Sequence, residues 1–240
     1  MRVYDFSSSV ENIAIRQSGF EPQYFPEEKI RILEVPDFPS LGKITALRFI
    51  EWCQKNPTGV ISLPTGKTPE HFIHWTWSIL NNWDSKDTKK LLEKYEMDTS
   101  SKPDMSSFIF VQIDEFFPMN PQQENSFVWY IKNFYIRKFG LDENKTVLIN
   151  AWTTGCKHGE NLGELFPDGK IDLSLRYRQP VNQMEQLQQK AIFSADQYAM
   201  EYEQKIRDLG GIGFFLGGIG PDGHIGFNIK GSDHFSTTRL

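Results

Sequence analysis

Three short segments carry side chains able to do chemistry, and each follows an apolar run. Pro64-Thr65-Gly66-Lys67-Thr68-Pro69 comes after Gly59–Leu63, Asp114-Glu115 after Phe108–Ile113, and Gly217–Asn228 after Ile212–Leu216. Backbone amides at Gly66–Thr68, just ahead of a helix, can make an anion site to which the Thr65 and Thr68 hydroxyls add hydrogen bonds. A carboxylate at a strand end can carry a proton between neighbouring atoms. The third segment holds Asp222 and His224, and an imidazole titrates close to neutral pH. Its glycines at 218, 220, 223 and 226 would let backbone approach a ligand closely.

Two literal motif matches fail on geometry. Gly66-Lys67-Thr68 ends like a P-loop, but that motif needs a glycine five positions before Gly66. Ile61 stands there, inside the apolar run, so the loop is too short to curl round a phosphate. Gly218-Ile219-Gly220-Pro221-Asp222-Gly223 matches the dinucleotide fingerprint, which must open a helix. Pro221 interrupts its second half and Gly226 follows closely. His71 and His74 share a helix face, and Cys156 lies two residues before His158. Neither pair has a third ligand, so no metal site is expected.

In order and spacing the three segments resemble the glucosamine-6-phosphate deaminases. Leu63–Pro69 is similar to their Leu-Pro-Thr-Gly-Gly-Thr-Pro phosphate loop. Ile113-Asp114-Glu115-Phe116, with Asn125–Tyr130 and Lys132–Phe134 behind it, is similar to their Met-Asp-Glu-Tyr block and aromatic helix. Gly217–Asn228 is similar to their Gly-x-Asp-Gly-His-Ile-Ala-Phe-Asn signature. The resemblance runs from about Gly59 to Arg239, with a break at 154–190. A sister family, the 6-phosphogluconolactonases, shares the Gly-Pro-Asp-Gly-His core. Ile225, Phe227, Asn228 and the aromatic helix after Asp114 lean toward the deaminases.

The resemblance implies an enzyme that converts an amino-sugar phosphate to a ketose phosphate and ammonia. The aldose–ketose isomerisation would end in hydrolysis of an imine, which places it in the hydrolase class. The resemblance gives Asp114 the proton shuttle from C2 to C1, and gives His224, oriented by Asp222, the opening of the sugar ring. It gives Thr65, Gly66, Lys67, Thr68 and Gly220 the contacts with substrate, and it calls for no cofactor. Lys67 replaces a family glycine and either adds charge to the phosphate or points outward. The family's glutamate after Phe-Asn is Ile229 here, so His224 lacks one carboxylate partner, with Asp233 as a stand-in candidate. Family members continue past the Arg239 region, so the chain is expected to be a fragment or a reduced relative that binds without full turnover. Ser232 and Arg239 match an effector-phosphate site of some members. A lactonase-like hydrolase and a non-catalytic sugar-phosphate sensor stay open as alternatives.

The elements must bring these loops to one sheet edge. The apolar runs Gly59–Leu63, Phe108–Ile113, Thr146–Asn150 and Ile212–Leu216 read as buried strands. Between them, Ser40–Lys55, Pro69–Asn82, Ser126–Phe139 and Ser194–Leu209 read as helices, with Thr68 as N-cap and Pro69 at the first position of the second. Gly210 and Gly211 end the last of them. Asp84–Lys102 reads as a solvated helix and loop. The alternation predicts a single α/β domain over residues 1–240 with a doubly wound, largely parallel, Rossmann-like sheet flanked by helices. Ligands of such sheets bind at the carboxyl ends of the strands. Residues 154–190 read as a surface insertion, either a flap or a passive loop. Within it Ile171, Leu173, Leu175 and Tyr177 alternate like one strand of a hairpin.

Composition narrows the class. The 240 residues are 39% hydrophobic and 14% aromatic, which predicts an aromatic-rich core. The net charge of −5 and the lack of a basic stripe argue against nucleic acid as partner. No run approaches the roughly 20 apolar residues that span a bilayer, and the N-terminus carries no signal peptide. Cys53 and Cys156 lie far apart and fit a reduced interior, so the cytoplasm is the expected location. The expected partner is a small-molecule sugar phosphate; a homo-oligomer and a C-terminal region outside this chain are left open.

Overall fold

The computed structural model describes residues 7–19, 32–154 and 162–232. The helices are α1 (Ser9–Ser18), α2 (Phe38–Lys55), α3 (Glu70–Asn81), α4 (Lys86–Lys94), α5 (Phe127–Ile131), α6 (Arg137–Phe139), α7 (Leu162–Leu165) and α8 (Gln183–Asp208). The strands are β1 (Gly59–Ser62), β2 (Phe108–Val111), β3 (Thr146–Val147) and β4 (Phe214–Phe215), joined in one sheet of order β3-β2-β1-β4. Ile61 lies opposite Phe214 and Phe110 opposite Thr146, both in parallel pairs. This parallel sheet flanked by helices is the Rossmann-like α/β fold expected from the alternation of strand and helix. Among the described residues no helix is long and apolar enough to cross a membrane.

The described residues fall into two compact units. The first draws on Met1–Gly59, Gly66–Ile109 and Phe134–Asn144. Its core is aromatic: Phe72 meets Phe49 at 5.6 Å and Phe139 at 6.1 Å, both edge-on. Helices α2 and α3 cross so closely at Gly42 that a Cβ there would lie 2.4 Å from the Cβ of His71. The N-terminus of α1 is tied down by a buried carboxylate. Glu51 accepts from the Ser8 hydroxyl at 2.6 Å, the Ser9 amide at 2.8 Å and Lys55 Nζ at 3.0 Å. Helix α3 begins one residue later than expected, and Thr68 does not cap it. Lys67–Pro69 instead form a turn in which the Glu70 amide donates to the Lys67 carbonyl at 3.2 Å. The 84–102 stretch is less solvated than its charge suggests, because Leu92, Tyr95 and Met97 are buried. Cys53 is buried too, and Cys156 lies outside the described residues. A cleft of about 510 Å³ in this unit is lined by Leu80, Lys102, Met105, Arg137 and Lys138. Arg137 and Lys138 stand in the last turn of α6, where cations offset the helix's carbonyl end.

The second unit draws on Val60–Thr65, Phe110–Asn133 and Lys145–Leu240 and holds most of the sheet. Strands β2 and β3 stop short of the predicted Ile113 and Asn150 because side chains replace the ladder. The Gln112 amide still donates to the Val147 carbonyl at 3.1 Å. Beyond it, Gln112 Oε1 accepts from the Ile149 amide at 2.9 Å and Nε2 donates to the Asp114 carbonyl at 2.8 Å. The Tyr202 hydroxyl on α8 is shared between the carbonyls of Gln112, at 2.7 Å, and Val147, at 2.9 Å.

The predicted hairpin strand through Ile171 and Tyr177 is a helical turn instead. Asp172 accepts from the Ser174 amide and starts a 3₁₀ turn, Leu173–Arg176, that buries Leu175 and leaves Tyr177 90% exposed. Helix α8 is likewise longer than expected, starting at Gln183 rather than Ser194. Asn182 caps it by accepting from the Glu185 amide, a pairing of cap and third residue that opens helices well. The glutamines that read as loop then serve as anchors: Gln188 donates to the Leu165 carbonyl and Gln189 to the Leu175 carbonyl, each at 2.7 Å. Leu162, Leu165, Phe166, Leu175 and Ile192 close a small core between these pieces.

Candidate active site

The carboxylate of Asp114 sits three residues past the end of β2 and is half-buried. Burial first, and the charge of Glu115 second, push its pKa up to about 6. Glu115 is held by donors around the start of α5. Its Oε1 accepts from the amides of Phe116 at 3.0 Å and Phe127 at 3.1 Å. Its Oε2 accepts from the Ser126 hydroxyl at 2.8 Å and the Val128 amide at 3.0 Å. A carboxylate satisfies the free amides of a helix start, so Glu115 is fixed with its charge beside Asp114. Asp114 and Glu115 are adjacent in sequence yet have opposite environments.

The histidine loop meets Asp114 directly. A Cβ added at Gly226 would lie 3.2 Å from Asp114 Oδ2, so the backbone there is within van der Waals reach of the carboxylate. Gly226 has φ +57° inside a tight turn in which Ile225 and Asn228 exchange both backbone hydrogen bonds. Phe116, two residues after Asp114, contacts Phe227 at 4.8 Å and Phe127 at 5.1 Å. The half-exposed rings of Phe116 and Phe227 thereby join the two loops and leave an aromatic wall facing solvent.

His224 Nδ1 and Asp222 Oδ1 are 2.5 Å apart, and this bond holds the Asp222 carboxyl below its ordinary pKa. The imidazole lies flat over Gly220, where a Cβ would come within 2.0 Å of Cε1. The Gly220 amide also donates to the His224 carbonyl at 2.8 Å. At Gly220 the close approach expected of a ligand is taken up by the histidine ring. Only a residue without a side chain seats it there.

The structure thus gathers Asp114, Asp222, His224 and Gly220 within one unit. The anion loop is divided: Thr65 belongs to the second unit and Gly66–Thr68 to the first. Gly66 takes φ +92°, and Lys67 and Thr68 are exposed. Ile229 is 62% exposed, and its amide donates to the Ser232 hydroxyl at 3.0 Å. Asp233 and Arg239 lie outside the described residues. Sequence reasoning passed over Gln112 and the clamping role of Glu115. The Ser126-Phe127 helix start was the signal for the second, whereas the partners of Gln112 are too distant in sequence to give one for the first.

No model of a known protein family matches the chain. A glucosamine-6-phosphate deaminase of Clostridium tetani is 22% identical over 211 residues, covering 88% of this chain and 64% of its own length. A glucosamine-6-phosphate deaminase of Caenorhabditis elegans is 62% identical over 40 residues, 17% of this chain and 15% of its own. Among solved structures, a monomeric glucosamine-6-phosphate deaminase superposes with a TM-score of 0.56 and 18% identity, over 85% of this chain and 61% of that one. The fold is therefore shared, and the chain spans less than two thirds of the proteins it matches. Their names are those of deaminases and give no support to the hydrolase class expected above.

Proposed function

We propose that this chain, which resembles the glucosamine-6-phosphate deaminases along most of its length, isomerises an amino-sugar phosphate and releases its nitrogen as ammonia. The observation that carries this reading is the half-buried Asp114 carboxyl, titrating at about 6 and touching the backbone of the His224 loop. A base with a pKa near working pH can both take a proton and return it. In the opened sugar, Asp114 takes the C2 proton as an enediol-like amine forms, then delivers the proton to C1. The C2 imine left behind adds water and expels ammonia, giving the ketose phosphate. His224, held by Asp222, moves the anomeric hydroxyl proton during ring opening. The resemblance to the deaminases gives the phosphate to the amides of Gly66–Thr68 and the hydroxyls of Thr65 and Thr68. The aromatic wall of Phe116 and Phe227 offers an apolar face to the sugar's C–H groups.

One observation favours a second reading, a sugar-phosphate sensor without turnover. Ile229 stands exposed where the deaminases carry a carboxylate, so among the described residues Asp222 is the carboxylate that holds His224. An ammonia-release assay on glucosamine 6-phosphate separates the two. The deaminase reading expects wild type to release ammonia and Asp114→Asn to lose about 10²–10⁴ in rate. It also expects Ile229→Glu to be faster on the cyclic substrate. Thermal stabilisation of wild type by the sugar phosphate with no ammonia released establishes the sensor instead.

A further inference from the structure

We propose that Gln112 and Tyr202 are positioning residues for Asp114, a brace that holds the carboxyl where it can meet a sugar carbon. The proposal rests on the proton-shuttle reading above. Asp114 lies beyond the last ladder bond of β2, and its carbonyl is gripped at 2.8 Å by the Gln112 amide. Gln112 is 1% exposed and Tyr202 4%. Burying an amide and a phenol is unfavourable unless their polar atoms are matched, and here they are matched to the backbone of parting strand ends. Gln112 joins the Ile149 amide to the Asp114 carbonyl, and Tyr202 joins the carbonyls of Gln112 and Val147. One turn earlier on α8, the Tyr198 hydroxyl donates to the Leu148 carbonyl at 3.2 Å and accepts from the Asn150 amide at 3.0 Å. Two tyrosines four residues apart thus fix α8 against the strand ends from which the Asp114 turn departs.

A shift of about 1 Å in a reacting group can lower a rate roughly 10²-fold. Loosening the brace lets the carboxyl swing toward water, which also undoes the burial that raises its pKa. A purely structural hydrogen bond would lower thermal stability and leave that titration in place. The test is a carbon-13 NMR titration of aspartate carboxyls, without substrate, in wild type, Tyr202→Phe and Gln112→Met. The spectrum of Asp114→Asn identifies the resonance. Ammonia release against pH is measured on the same samples.

Folded variants should show the Asp114 midpoint fall by about half a pH unit or more. Their kcat should fall about 10–100-fold, with KM held within about threefold. A midpoint unmoved in both folded variants overturns the proposal, as does failure of both to fold, which marks the brace as structural. Because the titration needs no substrate, wild type without ammonia release sinks the deaminase reading alone and leaves the midpoint to decide the brace.

Discussion

A carboxyl that titrates at about 6 is charged at pH 7 and largely neutral at pH 5, so Asp114 can act as a base only on the alkaline side. The same shift works against folding. An unfolded aspartate gives up its proton near pH 4, whereas folded Asp114 holds it to about 6. The stability it contributes is whole below pH 4 and is lost as pH rises through 6. Asp114→Asn removes that loss. Its Tm relative to wild type should rise between pH 5 and pH 7 while its rate falls about 10²–10⁴-fold, and thermal melts at the two pH values check the sign. A relative Tm that falls over this interval contradicts the burial argument. At this scale the sequence marks Asp114, Asp222 and His224 as candidates, because their types and glycine-rich surroundings suit chemistry. Gln112 is not marked, since a single glutamine after Val111 carries no periodic signal and its partners come from 37 and 90 residues away.

Elements were legible where one local rule decided them. Apolar runs marked all four strands, and only their ends were overdrawn, because sequence does not show where a side chain takes over from the ladder. The 171–177 segment misled because alternation is a strand signal only when a partner edge exists. Here Asp172 captured the Ser174 amide and a helical turn buried Leu175 alone. The glutamine run at the start of α8 misled for the opposite reason: glutamine is a good helix former, and the capping pair Asn182 and Glu185 was missed. Helix packing yields a sharper expectation at Gly42. A methyl group there meets the His71 Cβ at 2.4 Å and its carbonyl carbon at 2.6 Å, so α2 and α3 must separate. Overpacking of this kind costs about 1–3 kcal/mol. Denaturant unfolding of Gly42→Ala should show a loss of that size, and a change under about 0.3 kcal/mol would contradict the close crossing.

At the scale of the whole molecule, β4 closes the order of the sheet among the described residues, and the segment that carries the imidazole follows it in sequence. Phe215, Ile219, Ile225, Phe227 and Ile229 are all about half exposed or more, which is unusual beside a parallel sheet. The sequence announced these residues as apolar and could not say which of them the fold would cover. Beyond the strand ends Gly226 meets Asp114, Phe227 meets Phe116, and His224 is seated on Gly220. The proposed reaction turns on one proton. Glucosamine 6-phosphate incubated with the protein in heavy water should lose its C2 hydrogen signal by proton NMR. Asp114→Asn should slow that loss by about 10²–10⁴ while still binding the sugar phosphate. Equal exchange rates in the two proteins would contradict the assignment of Asp114 as the base.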